Sequence, residues 1–146
     1  MNSKIPVSVL AATGSVGQRF VSLLENHPWF EVVEITASDK SVGKTYEEAC
    51  HWLLSEAMPE YVKKMELLPT DAAALKNSKI AFSALPAEIA VDVEPEVAKK
   101  GIYVSSNASS YRKDPLVPIL VPEVNPDHMM ILEDQRKAYG WSGGIF

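Results

Sequence analysis

The chain has 146 residues, a formal net charge of −5, 47% hydrophobic residues and one cysteine. Disordered tails are poorer in apolar residues, collagen-like chains richer in glycine and disulfide scaffolds richer in cysteine, so those three classes are excluded. The acidic balance, with 8% aromatics and no basic cluster, gives nucleic acid no continuous surface to hold. No apolar run reaches the ~18 residues that cross a bilayer, the N-terminus lacks the apolar stretch of a signal peptide, and Cys50 has no second cysteine to pair with. These features predict a single domain, 1–146, in the reducing cytoplasm.

Residues 5–12 form a short apolar run that suits a strand buried on both faces. From Ser15, the spacing of Val16, Phe20, Leu23 and Leu24 places them on one face of a helix that stops near His27 and Pro28. Residues 31–38, with Val32, Val33, Ile35 and Thr36, read as a second strand, and 39–44 as a polar loop. Residues 47–55 suit a short helix carrying Cys50 and Trp52, and 65–68 a brief strand closed by Pro69, Thr70 and Asp71. Residues 79–85 are another apolar strand, 87–100 a helix that Pro95 must kink or restart, and 102–105 a strand just after Gly101. Pro115, Pro118 and Pro122 then break an extended stretch before a last helical pattern over 128–139, with Met129, Leu132 and Arg136 on related faces. Gly143 and Gly144, followed by Ile145 and Phe146, look like the start of one more strand, which leads us to expect the front part of a longer protein. The alternation of strands and helices predicts an α/β fold, a doubly wound, mainly parallel sheet of the Rossmann type.

Between the first strand and its helix lies Ala11-Ala12-Thr13-Gly14-Ser15-Val16-Gly17. A pyrophosphate needs backbone N–H groups aimed at it, glycine where a side chain would block its approach, and the positive end of a helix. Gly14 and Gly17 fill two of the three glycine positions of a GxxGxxG turn and Ala11 stands at the first. Gly14 is expected where backbone and anion nearly touch, and to resist any side chain if its backbone is left-handed. About 20 residues further on, the end of the second strand is where dinucleotide folds read the ribose. Ser38, Lys40, Ser41 and Lys44 would hold a 2′-phosphate there, and Asp39 would repel it if aimed at the ribose, so NADP is favoured over NAD. The plain alternative is a solvated polar loop.

Five blocks carry a family likeness: Ala12-Thr13-Gly14-Ser15-Val16-Gly17-Gln18-Arg19-Phe20, Ala37-Ser38-Asp39-Lys40-Ser41-Val42-Gly43-Lys44, Phe82-Ser83-Ala84-Leu85-Pro86, Ser106-Asn107-Ala108-Ser109-Ser110-Tyr111-Arg112 and Val121-Pro122-Glu123-Val124-Asn125-Pro126. In this order they resemble aspartate-semialdehyde dehydrogenase, in particular its archaeal and fungal branch, over nearly the whole chain. The resemblance implies reductive dephosphorylation of L-aspartyl 4-phosphate by NADPH, a step towards lysine, threonine and methionine, in a homo-oligomer acting on a small molecule. It places Thr13, Gly14, Ser15 and Val16 on the cofactor phosphates and Ser38, Lys40 and Ser41 on the 2′-phosphate. Ser83, Leu85 and Pro86 would line the cofactor wall, and Arg112 would hold the substrate phosphate through its planar fork. The plain alternative for Arg112 is a surface ion pair with Asp114 or a neighbour. Two departures stand out: Ala11 replaces the usual first glycine, and the family's nucleophilic cysteine falls beyond Phe146, so no catalytic residue is assigned here.

Cys50 does not replace that nucleophile. Adjacent helical residues point about 100° apart, so His51 would not face it, and its apolar flanks would raise the thiol pKa. His27, His51 and His128 lie far apart with no ligand spacing, so no metal site is expected. Glu88, Asp92, Glu94 and Glu96 read as the solvated face of a helix whose Ile89, Val93 and Val97 turn inward, and Met129 and Met130 as core or interface. Two rival functions remain: malonyl-CoA reductase, which resembles the same branch, and a non-catalytic NADP-binding module.

Overall fold

The computed structural model describes residues 3–146. Six strands form one parallel sheet in the order β3-β2-β1-β4-β5-β6: β1 Ile5–Leu10, β2 Phe30–Ala37, β3 Leu67–Pro69, β4 Ile80–Ser83, β5 Tyr103–Ser106 and β6 Gly144–Ile145. This is the strand order of a doubly wound dinucleotide fold, with its reversal point between β1 and β4. The main helices are α1 Ser15–Leu23, α4 Ala87–Lys99 and α5 Ile131–Tyr139, with single turns α2 Tyr46–Ala49 and α3 Glu60–Lys63 between β2 and β3.

Strand alternation divides the core. Val7 and Val9 pack with Val21, Leu24, Ile35, Tyr46 and Leu67, whereas Leu10, Ala81 and Val104 pack with Ala90, Val97, Ile102 and Ile145. The β1–β2 register slips by one residue after Val7, so Ser8 lies opposite Glu34. Glu34 is buried, and its carboxylate accepts N–H groups from Lys76 (2.7 Å), Asn77 (2.9 Å) and Ser78 (3.1 Å), tying down the loop before β4. Burial opposes the charge, yet these donors hold its pKa below the ordinary carboxylate value.

Several expected elements differ. In α1 the buried residues are Gly17, Gln18 and Val21, with Leu24 just beyond, while Val16 and Leu23 are exposed. The helix is rotated because Gly17 lets its backbone press against the preceding turn. The helix expected over 47–55 is one turn, Tyr46–Ala49, closed at its start by a capping box between Thr45 and Glu48, and Cys50 is already extended after it. The third strand sits at Leu67–Pro69 and admits proline because it is the sheet edge.

Pro95 does not restart α4, which runs from Ala87 to Lys99 as one helix. A proline at 95 cannot donate to the carbonyl four residues earlier. That carbonyl, of Val91, instead accepts the Tyr111 hydroxyl at 2.8 Å. Glu94 is wholly buried and Ile89 largely exposed, so the acidic face of α4 is one residue smaller than expected. The last helical pattern divides into a 3₁₀ turn, Pro126–Met130, and α5, whose inward residues are Leu132 and Gln135; Met129 and Met130 lie exposed. The Gln135 amide bonds both the N–H and the carbonyl of Ile145, which caps the short edge strand β6.

No helix is long and apolar enough to cross a membrane among the described residues.

Candidate functional site

The loops after β2, β1, β4 and β5 lie side by side along the C-terminal edge of the sheet. The turn after β1 begins with Ala11 in the left-handed region, φ 58°, where glycine would be favoured. Gly14, by contrast, has φ −76° and ψ 170° as the N-cap of α1, so the left-handed backbone considered for it is not present. A Cβ on Gly14 would meet only the Ala11 carbonyl, at 3.8 Å, and would project into open space beside the helix end. Gly17 is the opposite case: its Cβ would lie 2.2 Å from the Ala11 carbonyl oxygen and 2.7 Å from the Ala12 Cα.

No side chain caps α1 and its first turn carries no acid, so the partial positive charge of its N–H groups faces outward past Gly14, Ser15 and Val16, all exposed. The inner side of the turn is fully engaged. Ala11 N donates to Thr36 Oγ1 (3.2 Å) and Ala12 N to the Thr36 carbonyl (2.9 Å). The buried Tyr46 hydroxyl donates to the Ala12 carbonyl at 2.8 Å. Gln18 Nε2 donates to the carbonyls of Thr13 (2.8 Å) and His51 (2.9 Å), while its Oε1 accepts Leu53 N–H at 2.7 Å. With the Ala12 and Thr13 carbonyls held from beneath and the Gly14 N–H donating to the Ala11 carbonyl at 3.4 Å, the N–H groups of Thr13, Ser15 and Val16 are the ones without a partner among the described residues, which is the polarity an anion requires. Tyr46 and Gln18 were not singled out from sequence. The signal for Gln18 was its place beside Gly17 on the buried face of a helix; for Tyr46 there was none.

Ser38, Asp39 and Lys40 are exposed and Ser41 half-buried in the loop after β2, folded by the Ser41 N–H donating to the Ser38 carbonyl at 2.8 Å. Because β2 is the direct neighbour of β1, this loop stands beside the glycine turn. On the other side of β1, Ser83 and Leu85 are buried and offer the edge their backbone, whereas Pro86 is exposed as the N-cap of α4. Past β5, Arg112 is exposed at a cleft of about 310 Å³ that also contacts Ser106, Tyr111, Ile119 and Phe146. Among the described residues Arg112 makes no ion pair; Asp114 instead accepts the Tyr139 hydroxyl at 2.7 Å.

Cys50 is buried in the core below the glycine turn, its Sγ 3.9 Å from the Thr13 carbonyl, and burial pushes its thiol pKa up. His51 is exposed. Among the described residues no group of three His, Cys, Asp or Glu side chains could hold a metal ion.

A 3-2-1-4-5-6 parallel sheet, with an uncapped helix aimed outward from a glycine turn after its first strand, defines a dinucleotide-binding domain of the doubly wound class. The chain belongs to the family described as semialdehyde dehydrogenase, NAD binding domain, whose model matches residues 6–131. It is 46% identical to the aspartate-semialdehyde dehydrogenase of Archaeoglobus fulgidus and 48% identical to that of Methanothermobacter thermautotrophicus, alignments that cover 95% and 97% of this chain and 40% of each relative. Among solved structures it resembles the Candida albicans aspartate-semialdehyde dehydrogenase with NADP, at 39% identity and a TM-score of 0.84, over 93% of this chain and 38% of that one. The chain thus spans about 40% of the length of the curated relatives it matches.

Proposed function

We propose that these residues are the NADP-binding portion of an aspartate-semialdehyde dehydrogenase, converting L-aspartyl 4-phosphate and NADPH to the semialdehyde, phosphate and NADP. The observation that carries the reading is the order of loops along the C-terminal edge, with the glycine turn after β1 flanked by the loops after β2 and β4 at the point where the strand order reverses. The N–H groups of Thr13, Ser15 and Val16 would take the pyrophosphate, with Gly14, whose own N–H donates to the Ala11 carbonyl, leaving the space for it. Ser38, Lys40 and Ser41, one strand away, would take the 2′-phosphate, with Lys44 adding charge. The loop of Ser83, Leu85 and Pro86 would carry the nicotinamide half on the other side of β1. The bound dinucleotide supplies a hydride. Arg112, with no carboxylate partner, would orient the acyl phosphate at the edge of the cleft, and this favours an acyl phosphate over an acyl-CoA substrate. A small-molecule substrate, a cytoplasmic place, a homo-oligomeric state and a role in lysine, threonine and methionine synthesis belong to the same proposal.

The test is a titration of the complete protein with NADP and with NAD, followed by nicotinamide or intrinsic fluorescence. NADP should bind more tightly, and Lys40→Ala should narrow the difference. Equal affinity, or a preference for NAD, overturns the assignment of Ser38, Lys40 and Ser41.

A further inference from the structure

Glu94 lies on the inner face of α4, with none of its surface exposed, over the C-terminal ends of β4 and β5. Ser83 and Ser106 are cross-strand partners there, so their side chains leave the sheet on the same face, toward the helix. Ser106 Oγ donates to Glu94 Oε1 at 2.8 Å and accepts the Ala108 N–H at 3.2 Å. The other carboxyl oxygen, Oε2, and the Ser83 hydroxyl are both buried without a partner. No cation pairs with Glu94 among the described residues.

An ionised carboxylate buried with one donor and no counter-ion is strongly disfavoured. A neutral acid removes that cost, with Oε1 keeping the Ser106 hydroxyl and no ionised oxygen left without a partner. We propose that Glu94 is a neutral carboxylic acid in the folded protein and a positioning residue for the dinucleotide site, holding Ser106 so that the loops leaving β4 and β5 keep one spacing. Those loops are joined to one another and to β6. Asn107 N–H donates to the Ser83 carbonyl at 3.1 Å, and Ser106 N–H to the Phe146 carbonyl at 2.8 Å. A change at Glu94 therefore reaches three strand ends at once. Burial pushes the carboxyl pKa up, with the Ser106 hydroxyl holding it partly back, and the Tyr111 phenol is the titratable group that faces it from the loop after β5.

The positioning role rests on the dinucleotide site proposed above; the protonation state does not, and the two are read separately. In the complete protein, infrared difference spectra between the parent and Glu94→Gln at neutral pH should show loss of a protonated-carboxyl C=O band. Glu94→Gln, which keeps an acceptor for the Ser106 hydroxyl, should bind NADP within about twofold of the parent, whereas Glu94→Leu, which keeps the bulk and loses that bond, should bind it about tenfold or more weakly. Should the leucine variant fail to fold, Ser106→Ala removes the loop contact without touching α4 and should weaken NADP binding in the same direction. Loss of an ionised-carboxylate band instead overturns the neutral acid, and a folded Glu94→Leu or Ser106→Ala variant with parental affinity overturns the positioning role. Failure of the parent itself to bind NADP overturns the site and the positioning role together, whatever the infrared result.

Discussion

Replacing Gly17 with Ala sets two known effects against each other. In the interior of a helix the change ordinarily stabilises by about 1 kcal/mol, because glycine has more backbone freedom to lose. Here the new methyl would stand 2.2 Å from the Ala11 carbonyl oxygen, 2.7 Å from the Ala12 Cα and 2.8 Å from the Ala12 carbonyl carbon. All three are backbone atoms, and Ala12 is fixed by hydrogen bonds to Thr36 and Tyr46, so the turn cannot yield and α1 must move away by about 1 Å. Overpacking of this kind costs about 1–3 kcal/mol, and the displaced helix also loosens Gln18 and Val21. The clash wins by about 1 kcal/mol, and at about 2–4 °C per kcal/mol for a domain near this size the melting temperature should fall by about 2–4 °C. Circular dichroism during thermal and urea unfolding reads the effect, and a fluorescence titration should show weaker dinucleotide binding, since α1 carries the anion-facing N–H groups. Gly140→Ala is the control: it sits at φ 69° with nothing within 4 Å, so it carries backbone strain without a clash and should cost about 1 kcal/mol. A Gly17→Ala variant with an unchanged or higher midpoint would refute the close approach of α1 to its turn.

Gly14→Val should leave stability within about 0.5 kcal/mol of the parent, since φ is ordinary and the space open, yet abolish dinucleotide binding, because the branched side chain occupies the anion's place; unchanged affinity in the folded variant would mean that the phosphates bind elsewhere. Glu34 has its folded pKa lowered, so its contribution is complete above the ordinary carboxylate pKa of about 4.3 and is lost as pH falls through the folded value. Glu34→Gln should therefore cost about 2 kcal/mol or more at pH 7, with the difference from the parent closing in acid below about pH 4, and urea unfolding across that range would reveal a constant gap if the carboxylate were not the cause. These 146 residues alone should form no reduced nicotinamide from aspartate semialdehyde, phosphate and NADP, because Cys50 is buried with a raised pKa; steady formation that disappears in Cys50→Ser would show that this thiol is the nucleophile.

The strands were the most legible part of the chain. A parallel sheet covered on both faces buries most of its central strands, so β1 and β2 stand out as apolar runs, and the alternation of strands with helices through β4 and β5 admits few other folds. The glycine turn was legible because backbone approach to an anion restricts residue type locally. Other features depended on partners distant in sequence. Glu94 reads as a surface residue until the hydroxyl of Ser106 appears beside it, and the part played by Gln18 depends on the carbonyl of His51. Glu94 did leave a trace, since it falls among Ala90, Val97 and Ala98 on an inward helical stripe, but an acid there has no evident partner in the sequence. Pro95 predicts a broken α4 until Tyr111 supplies the missing donor to Val91. The buried face of α1 was misread because Val16 and Leu23 look like core residues, and only contact with the turn at Gly17 fixes the helix rotation that exposes them. Periodicity and local sterics act over a few residues and are written in the chain; the satisfaction of a buried polar group is a relation between segments, and it exists only once the fold has brought them together.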